Sequence, residues 1–185
     1  MQIRDATTDD AAGIAAIYND AVTNTTAIWN ETVVDVQNRI DWILDRQAAD
    51  YPVLVAVDSS VDAEDSGAKD TGAQRVLGYA SYGPFRPQDG FRHTVEHSVY
   101  VRADQRGAGV GSALLRALIE RARTSGVHVI VAGIDASNLG SIALHERLGF
   151  TRVGLLPEVG TKFGSWLDLA FLQLILPTDD RDTGH

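Results

Sequence analysis

The 185-residue chain has no cysteine, one methionine and only five prolines. Without a thiol there is no disulfide framework, no thiolate nucleophile and no cysteine-based zinc site. No apolar run reaches the ~18 residues a membrane span needs, and Met1-Gln2-Ile3-Arg4-Asp5 lacks the basic-then-apolar pattern of a secretion signal. Positive charge is also scarce. The chain carries 16 Lys and Arg against 25 Asp and Glu, a formal net charge of −9, the wrong sign for a nucleic-acid partner. Much of the acidic excess sits in residues 58–70 and in the tail Asp179-Asp180-Arg181-Asp182, both too polar to bury much. These absences point to a cytoplasmic protein with neither membrane nor nucleic acid as partner. Its length suits a single domain over residues 1–176, with an acidic loop insert at 58–74 and a disordered tail at 177–185.

What is present reads as alternating strands and helices. Residues 1–5 form a first strand, and Thr7-Thr8-Asp9-Asp10 is a capping-box-like helix start that favours its acids. Ala11, Ile14, Ala15, Tyr18 and Val22 then follow at helical spacing. A second helix is expected over 36–49, with Ile40, Ile43 and Leu44 inward. Strands 53–57 and 76–82 pair across the insert, a loop covers 85–93, and 94–101 alternates as a strand. Next come a helix over 112–123, a strand over 127–134 and a helix over 138–148 that Gly149 is suited to end. A strand at 151–155, a loop, and an apolar strand at 166–176 close an α/β order with a mixed sheet.

The most informative stretch is Arg106-Gly107-Ala108-Gly109-Val110-Gly111, between a strand and a helix. A glycine-rich turn opening a helix leaves backbone N–H groups unpaired and pointing one way. With the positive end of the helix dipole they suit a phosphate or pyrophosphate. Glycine permits both left-handed dihedrals and close approach of the anion. The spacing is wrong for a dinucleotide fingerprint, and there is no lysine for a P-loop. An ordinary turn and helix cap would look the same, so the surroundings decide.

Those surroundings resemble the GCN5-related N-acetyltransferase superfamily. The element order agrees, Arg-x-x-Gly-x-Gly is similar to its acetyl-CoA loop, and Asn138-x-x-Ser141-Ile142-Ala143-Leu144-His145-Glu146-Arg147-Leu148-Gly149-Phe150 resembles its second cofactor motif. Four further stretches are similar to the phosphinothricin and methionine sulfoximine acetyltransferase branch. They are Tyr18-Asn19-Asp20-Ala21-Val22, Asn24-Thr25-Thr26-Ala27-Ile28-Trp29-Asn30-Glu31, the run from Gly90 to Val101, and Lys162-Phe163-Gly164-x-Trp166-Leu167-Asp168. The resemblance covers about Ile3 to Leu176, the insert apart. It implies a single-domain fold whose mixed, mostly antiparallel twisted sheet carries helices on both faces. The implied reaction is acetyl transfer from acetyl-CoA to the α-amine of a small amino-acid analogue, without metal. Acetylation of a protein N-terminus or another small amine, and a non-catalytic acyl-CoA-binding module, remain as alternatives. The branch also implies a homodimer, with residues 158–166 at the interface.

Strand alternation puts Glu96, Ser98 and Tyr100 opposite Val95, His97, Val99 and Val101. Glu96 reads either as a surface glutamate or as a general base, since an ammonium substrate must lose a proton before it attacks. His145 shares a helix face with Asn138 and either lines the core or partners Glu96 in catalysis; the branch matches both residues to its catalytic pair. The backbone of Val99, Tyr100 and Val101 is expected to hold the pantetheine arm. Gly107 through Ser112, with Arg106 and Arg102, would take the phosphates, while Asn138 and Ser141 would meet the cofactor at the second motif. Arg86 and Arg92 are either solvated loop arginines or a fork for a substrate carboxylate or phosphinate, with Phe85 as pocket wall and Glu31 near the amine. Trp29 reads mainly as core, and His93, His97 and His128 as structural or surface residues without metal-ligand spacing. With no cysteine to carry an acetyl group, transfer is expected to be direct.

Overall fold

A computed structural model describes residues 1–58 and 75–177. Most of the acidic insert and all but the first residue of the expected tail lie outside these residues. The described elements are β1 (Gln2–Asp5), α1 (Ala11–Asn24), α2 (Val36–Ala48), β2 (Val53–Val57), β3 (Val76–Pro84), β4 (Thr94–Val101), α3 (Val110–Thr124), β5 (Val129–Asp135), α4 (Leu139–Arg147), β6 (Thr151–Lys162) and β7 (Ser165–Ile175). One sheet holds all seven strands in the order β1-β2-β3-β4-β5-β7-β6. Every pair is antiparallel except β4–β5.

Each face of the sheet has its own core. On one, Ile14 and Ile17 of α1 and Ile43 of α2 pack on Val53, Val55, Val57 and Tyr79. On the other, Leu114, Leu115 and Leu118 of α3 and Ile142 of α4 pack on Ala80, Val95, Ile130, Ala132 and Leu172. A mixed, mostly antiparallel sheet with helices on both faces is therefore present. Among the described residues no helix is long and apolar enough to cross a membrane.

Two expectations need correction. In α2 only Ile43 is fully buried and Ile40 is partly so, while Leu44 is exposed; the helix meets the sheet along one narrow stripe, and Leu44 lies a full 100° around it. The loop expected after residue 155 is strand. β6 continues to Lys162 and returns through the two-residue turn Phe163-Gly164, whose φ values of 51 and 73 are both positive, as a type I′ hairpin requires. Register shifts between Arg152 and Gly154 and between Leu156 and Gly160 break the alternation that identifies a strand. Pro157 is tolerated because β6 is an edge strand.

The entry to α1 shows how local chemistry sets a helix start. Asp10 is buried and accepts from the Thr7 amide at 2.8 Å and from Arg4 at 2.7 and 2.8 Å. Burial alone would raise its pKa, but the Arg4 guanidinium and the Thr7 donors outweigh it and hold the carboxyl below its ordinary value. Asp10→Ala is expected to cost about 2 kcal/mol at neutral pH, from lost capping and a partnerless Arg4. Urea unfolding reads this as a lower midpoint at unchanged slope; an unchanged midpoint would count against it.

Candidate active site

The site is made by one strand parting from its neighbour. β4 pairs with β3 over its whole length, from Pro84↔Val95 to Gly78↔Val101. With β5 it pairs only at Thr94↔Val129, Val95↔Ile130 and Glu96↔Val131. Beyond Glu96 the two diverge, while β5 stays paired to β7 through Asp135. In the gap a cavity of about 90 Å³ has residues 97–100 of β4 facing residues 132–135 of β5. It adjoins a cavity of about 680 Å³ between the first turns of α3 and α4, with Ile17, Ala21 and residues 25–27 as the facing wall. Val99, Tyr100, Asn138 and Ser141 line both.

The glycine loop supplies the lip of the larger cavity. Gly107 and Gly109 take φ of 82 and 86, and Gly109 is the left-handed N-cap of α3. Gly111 has no such dihedral, and a Cβ there would meet Val101 and Leu144 at ordinary contact distances of 3.4 and 3.5 Å. Val110, Gly111 and Ser112 form the first turn of α3, so their N–H groups have no partner within the helix. Of the residues expected to hold the cofactor, all line the large cavity except Ala108 and Arg102. The Ala108 amide is spent on Gln105 O at 3.3 Å. Arg102 turns away to Asp104 and Val76 O, leaving Arg106, itself 3.5 Å from Asp20, and Arg147 at the end of α4 as the arginines that line the large cavity. Asn138 caps α4, its Oδ1 accepting from Ser141 N at 3.0 Å, so its Nδ2 is the group left for a ligand carbonyl.

Glu96 and His145 lie on opposite faces of β4. Glu96 is half-buried on the α1/α2 face at the last paired position before the gap. Burial raises its pKa, and Arg86 partly offsets the rise. Gly133 makes room for it, since a Cβ there would stand 3.1 Å from Glu96 Oε1. Burial, Tyr18 and Glu96 itself raise the Tyr100 phenol. On the other face His145 is buried, with Nδ1 2.7 Å from Ser141 O and Nε2 3.1 Å from His97 Nε2. His97, read from the sequence as structural or surface, is a buried partner of His145 and lines the small cavity with it. Its protonation is pushed down to about 3 by burial and by His145; burial also lowers His145, against the Ser141 carbonyl.

The residues expected around the substrate are less convergent. Arg86 is exposed, lies over the Phe85 ring at 4.1 Å and is close enough to Glu96 to bias its charge. Arg92 is held in its own turn through Asp89 O at 3.4 Å, and Glu31 is exposed. None of these four lines either cavity. Lys162, which opens one of the branch-like stretches and was given no role from the sequence, is buried and donates to Thr25 O at 2.7 Å and to Ile28 O. It thereby ties the tip of β6 to the segment that walls both cavities. Burial lowers its pKa and Glu31 opposes that. Trp29 braces the same segment, half-buried against Gly160, where a Cβ would collide with its ring. A lysine beside a turn gives no sequence signal of burial. Among the described residues no cluster of His, Asp or Glu is arranged to hold a metal.

The acetyltransferase (GNAT) family model matches residues 14–150. The chain is 59% identical over 174 residues to an L-methionine sulfoximine/L-methionine sulfone acetyltransferase of Pseudomonas aeruginosa, covering 94% of each chain. A Salmonella typhimurium acetyltransferase solved with its cofactor acetyl-CoA is 49% identical, with a TM-score of 0.87 over 97% of this chain and 95% of that one. A phosphinothricin acetyltransferase from Sinorhizobium meliloti, in complex with acetyl-CoA, is 34% identical, with a TM-score of 0.85 over 95% and 88%. The donors around the large cavity suit such a cofactor: unpaired N–H groups at a left-handed glycine cap for phosphate, and a strand edge for amides.

Because both imidazoles are held uncharged, acid favours the unfolded chain, where a histidine protonates near ~6.5. Their effect on stability is absent above that pH and grows as pH falls below it, about 1.4 kcal/mol per pH unit for each ring that stays neutral when folded. Urea unfolding at several pH values between about 7.5 and 5.5 should show this loss, and His97→Gln should shrink it. An equal loss in both proteins would mean that His97 is not the titrating group.

Proposed function

The chain belongs to the acetyltransferase (GNAT) family, and on that footing we propose that it acetylates the α-amine of a small amino-acid analogue of the methionine sulfoximine, methionine sulfone or phosphinothricin type. The donor is acetyl-CoA, which supplies the acetyl group as a thioester. The observation that carries the proposal is the half-buried Glu96 carboxylate, of raised pKa, at the last paired position before β4 and β5 part; it lines neither cavity itself, and Tyr100, next but one on its own face of β4, lines both.

In this reading each residue has a distinct task. The edge of β4 at Val99–Val101 holds the pantetheine amides, the first turn of α3 with Arg106 takes the phosphates, and Asn138 Nδ2 donates to a carbonyl of the arm. Glu96 takes a proton from the substrate ammonium, directly or through water, and the uncharged amine then attacks. Arg86 holds the substrate carboxylate or phosphinate beside it, with Phe85 as wall; Arg92 and Glu31 contribute at the rim. His145 completes the site from the opposite face of β4, where it lines the small cavity. Transfer is direct, with no cysteine in the chain to carry the acetyl group.

CoA thiol release from acetyl-CoA with L-methionine sulfoximine, and in parallel with phosphinothricin, tests the reading. Turnover of either supports it; cofactor binding without turnover of either sinks the substrate assignment. Glu96→Gln is expected to lower kcat by about 10²-fold or more with acetyl-CoA binding retained. The acid limb of kcat should lie above the ordinary glutamate value of ~4.3. Arg86→Ala should move it higher still, because Arg86 now opposes the rise.

We also propose a homodimer that covers the β6–β7 hairpin, where Phe163 and Trp166 are 61% and 67% exposed beside Leu155 and Val159. Sedimentation should give a dimer that Trp166→Glu dissociates, and a monomeric native protein would end this part of the proposal.

A further inference from the structure

The hydrogen bonds of His145 fix where its proton sits. A carbonyl oxygen only accepts, so His145 Nδ1, 2.7 Å from Ser141 O, carries the hydrogen. The neutral ring then has a lone pair at Nε2, and the atom facing it at 3.1 Å is His97 Nε2, which must donate. The chain of bonds runs from His97 Nε2–H to His145 Nε2, and from His145 Nδ1–H to Ser141 O. The opposite arrangement would make His145 a buried cation and leave a hydrogen on His97 Nδ1, a buried atom with no partner. Packing holds the geometry. The two ring centroids lie 5.0 Å apart with 23° between planes, the nitrogens meeting edge to edge, and Phe150 sets its ring against both, at 5.6 and 5.1 Å.

The pair sits at the reaction gap. His97 follows Glu96 on β4, at the first position after the pairing with β5 ends, and both histidines line the small cavity. Both nitrogens of His145 are engaged within the protein, so its ring cannot turn or gain a proton while His97 donates to it.

We propose that His97 is a positioning residue for acetyl transfer: its Nε2–H holds His145 uncharged, in the Nδ1–H form, with its ring fixed against the gap between β4 and β5. This rests on the reading of His145 as part of the reaction machinery. It also assigns His145 an orienting part, since in this state it has no proton at Nε2 to give a leaving thiolate.

The first test needs no activity. Nitrogen-15 NMR of the histidine rings in the full-length protein should show His145 protonated at Nδ1 and His97 at Nε2; hydrogen on His145 Nε2 would overturn the proposal. The second is kinetic, with acetyl-CoA and L-methionine sulfoximine. His97→Gln, whose amide can donate from a similar place, should keep kcat within about 3-fold. His97→Phe, which fills the space without donating, should lower kcat about 10-fold or more with both KM values little changed. A purely packing role predicts the reverse order. Because His97 acts through His145, the double variant His97→Phe/His145→Ala should be no worse than His145→Ala alone. If His145→Ala loses kcat while His97→Phe keeps it, the His97 proposal falls and the reading of His145 stands. If His145→Ala keeps full kcat, the reading of His145 falls and this proposal with it. Should His97→Phe fail to fold, a loss of kcat in a folded His97→Gln would still refute the donor role.

Discussion

The parting of β4 from β5 after Glu96↔Val131 is the constraint on which the rest of the site depends. Opening a sheet in its middle would ordinarily cost ladder hydrogen bonds on both sides, each about 1 kcal/mol net and more when a buried group is left unpaired. Here the cost is contained, because β3 keeps β4 paired to Val101 and β7 keeps β5 paired to Asp135. The two strands are also the one parallel pair, joined by the glycine loop and α3, so the crossover itself brings a helix N-terminus to the mouth of the gap. α4 starts at the other lip, where Asn138 spends its Oδ1 as a cap and keeps its donor free.

A strand beside a gap can serve both faces of its sheet through neighbouring residues. Glu96 points to the α1/α2 face, among Tyr100 and Arg86, and His97 points to the α3/α4 face, against His145. The same desolvation acts with opposite sense on the two chemistries. It raises the carboxyl pKa and lowers those of the imidazoles, so all three groups are pushed toward their uncharged forms. The wall facing this strand is set from a distant part of the chain. Lys162, at the tip of the hairpin, donates to the carbonyls of Thr25 and Ile28, and Trp29 lies on Gly160. A cation at those carbonyls also suits the C-terminal end of α1. The exposed hairpin and the cavity wall are thus mechanically joined.

Much of this was legible in the residues. The strand and helix order, the opposite facing of Glu96 and His97, and the left-handed glycines came through because each is a local property, fixed by periodicity or by one residue's allowed dihedrals. The β6–β7 hairpin did not, because Phe163-Gly164 lacks the Asn-Gly or Asp-Gly signature and two register shifts erase the alternation. His97, read as structural or surface, is structural, and its partner was hidden for a related reason. One histidine in an alternating strand says which face it takes, and nothing about what stands on that face.

The sequence by itself determined the class of fold, the glycine turn that opens α3 and the identity of the chemically able side chains. Tertiary structure alone decided where β4 leaves β5, that Arg102 reaches Val76 O, that Lys162 is buried, and that His97 meets His145 from 48 positions away. The physical reason is the range of the interactions. Helix starts, turns and strand faces are set within a few residues, whereas burial, pKa and hydrogen-bond partnership depend on which distant segment the packing brings alongside.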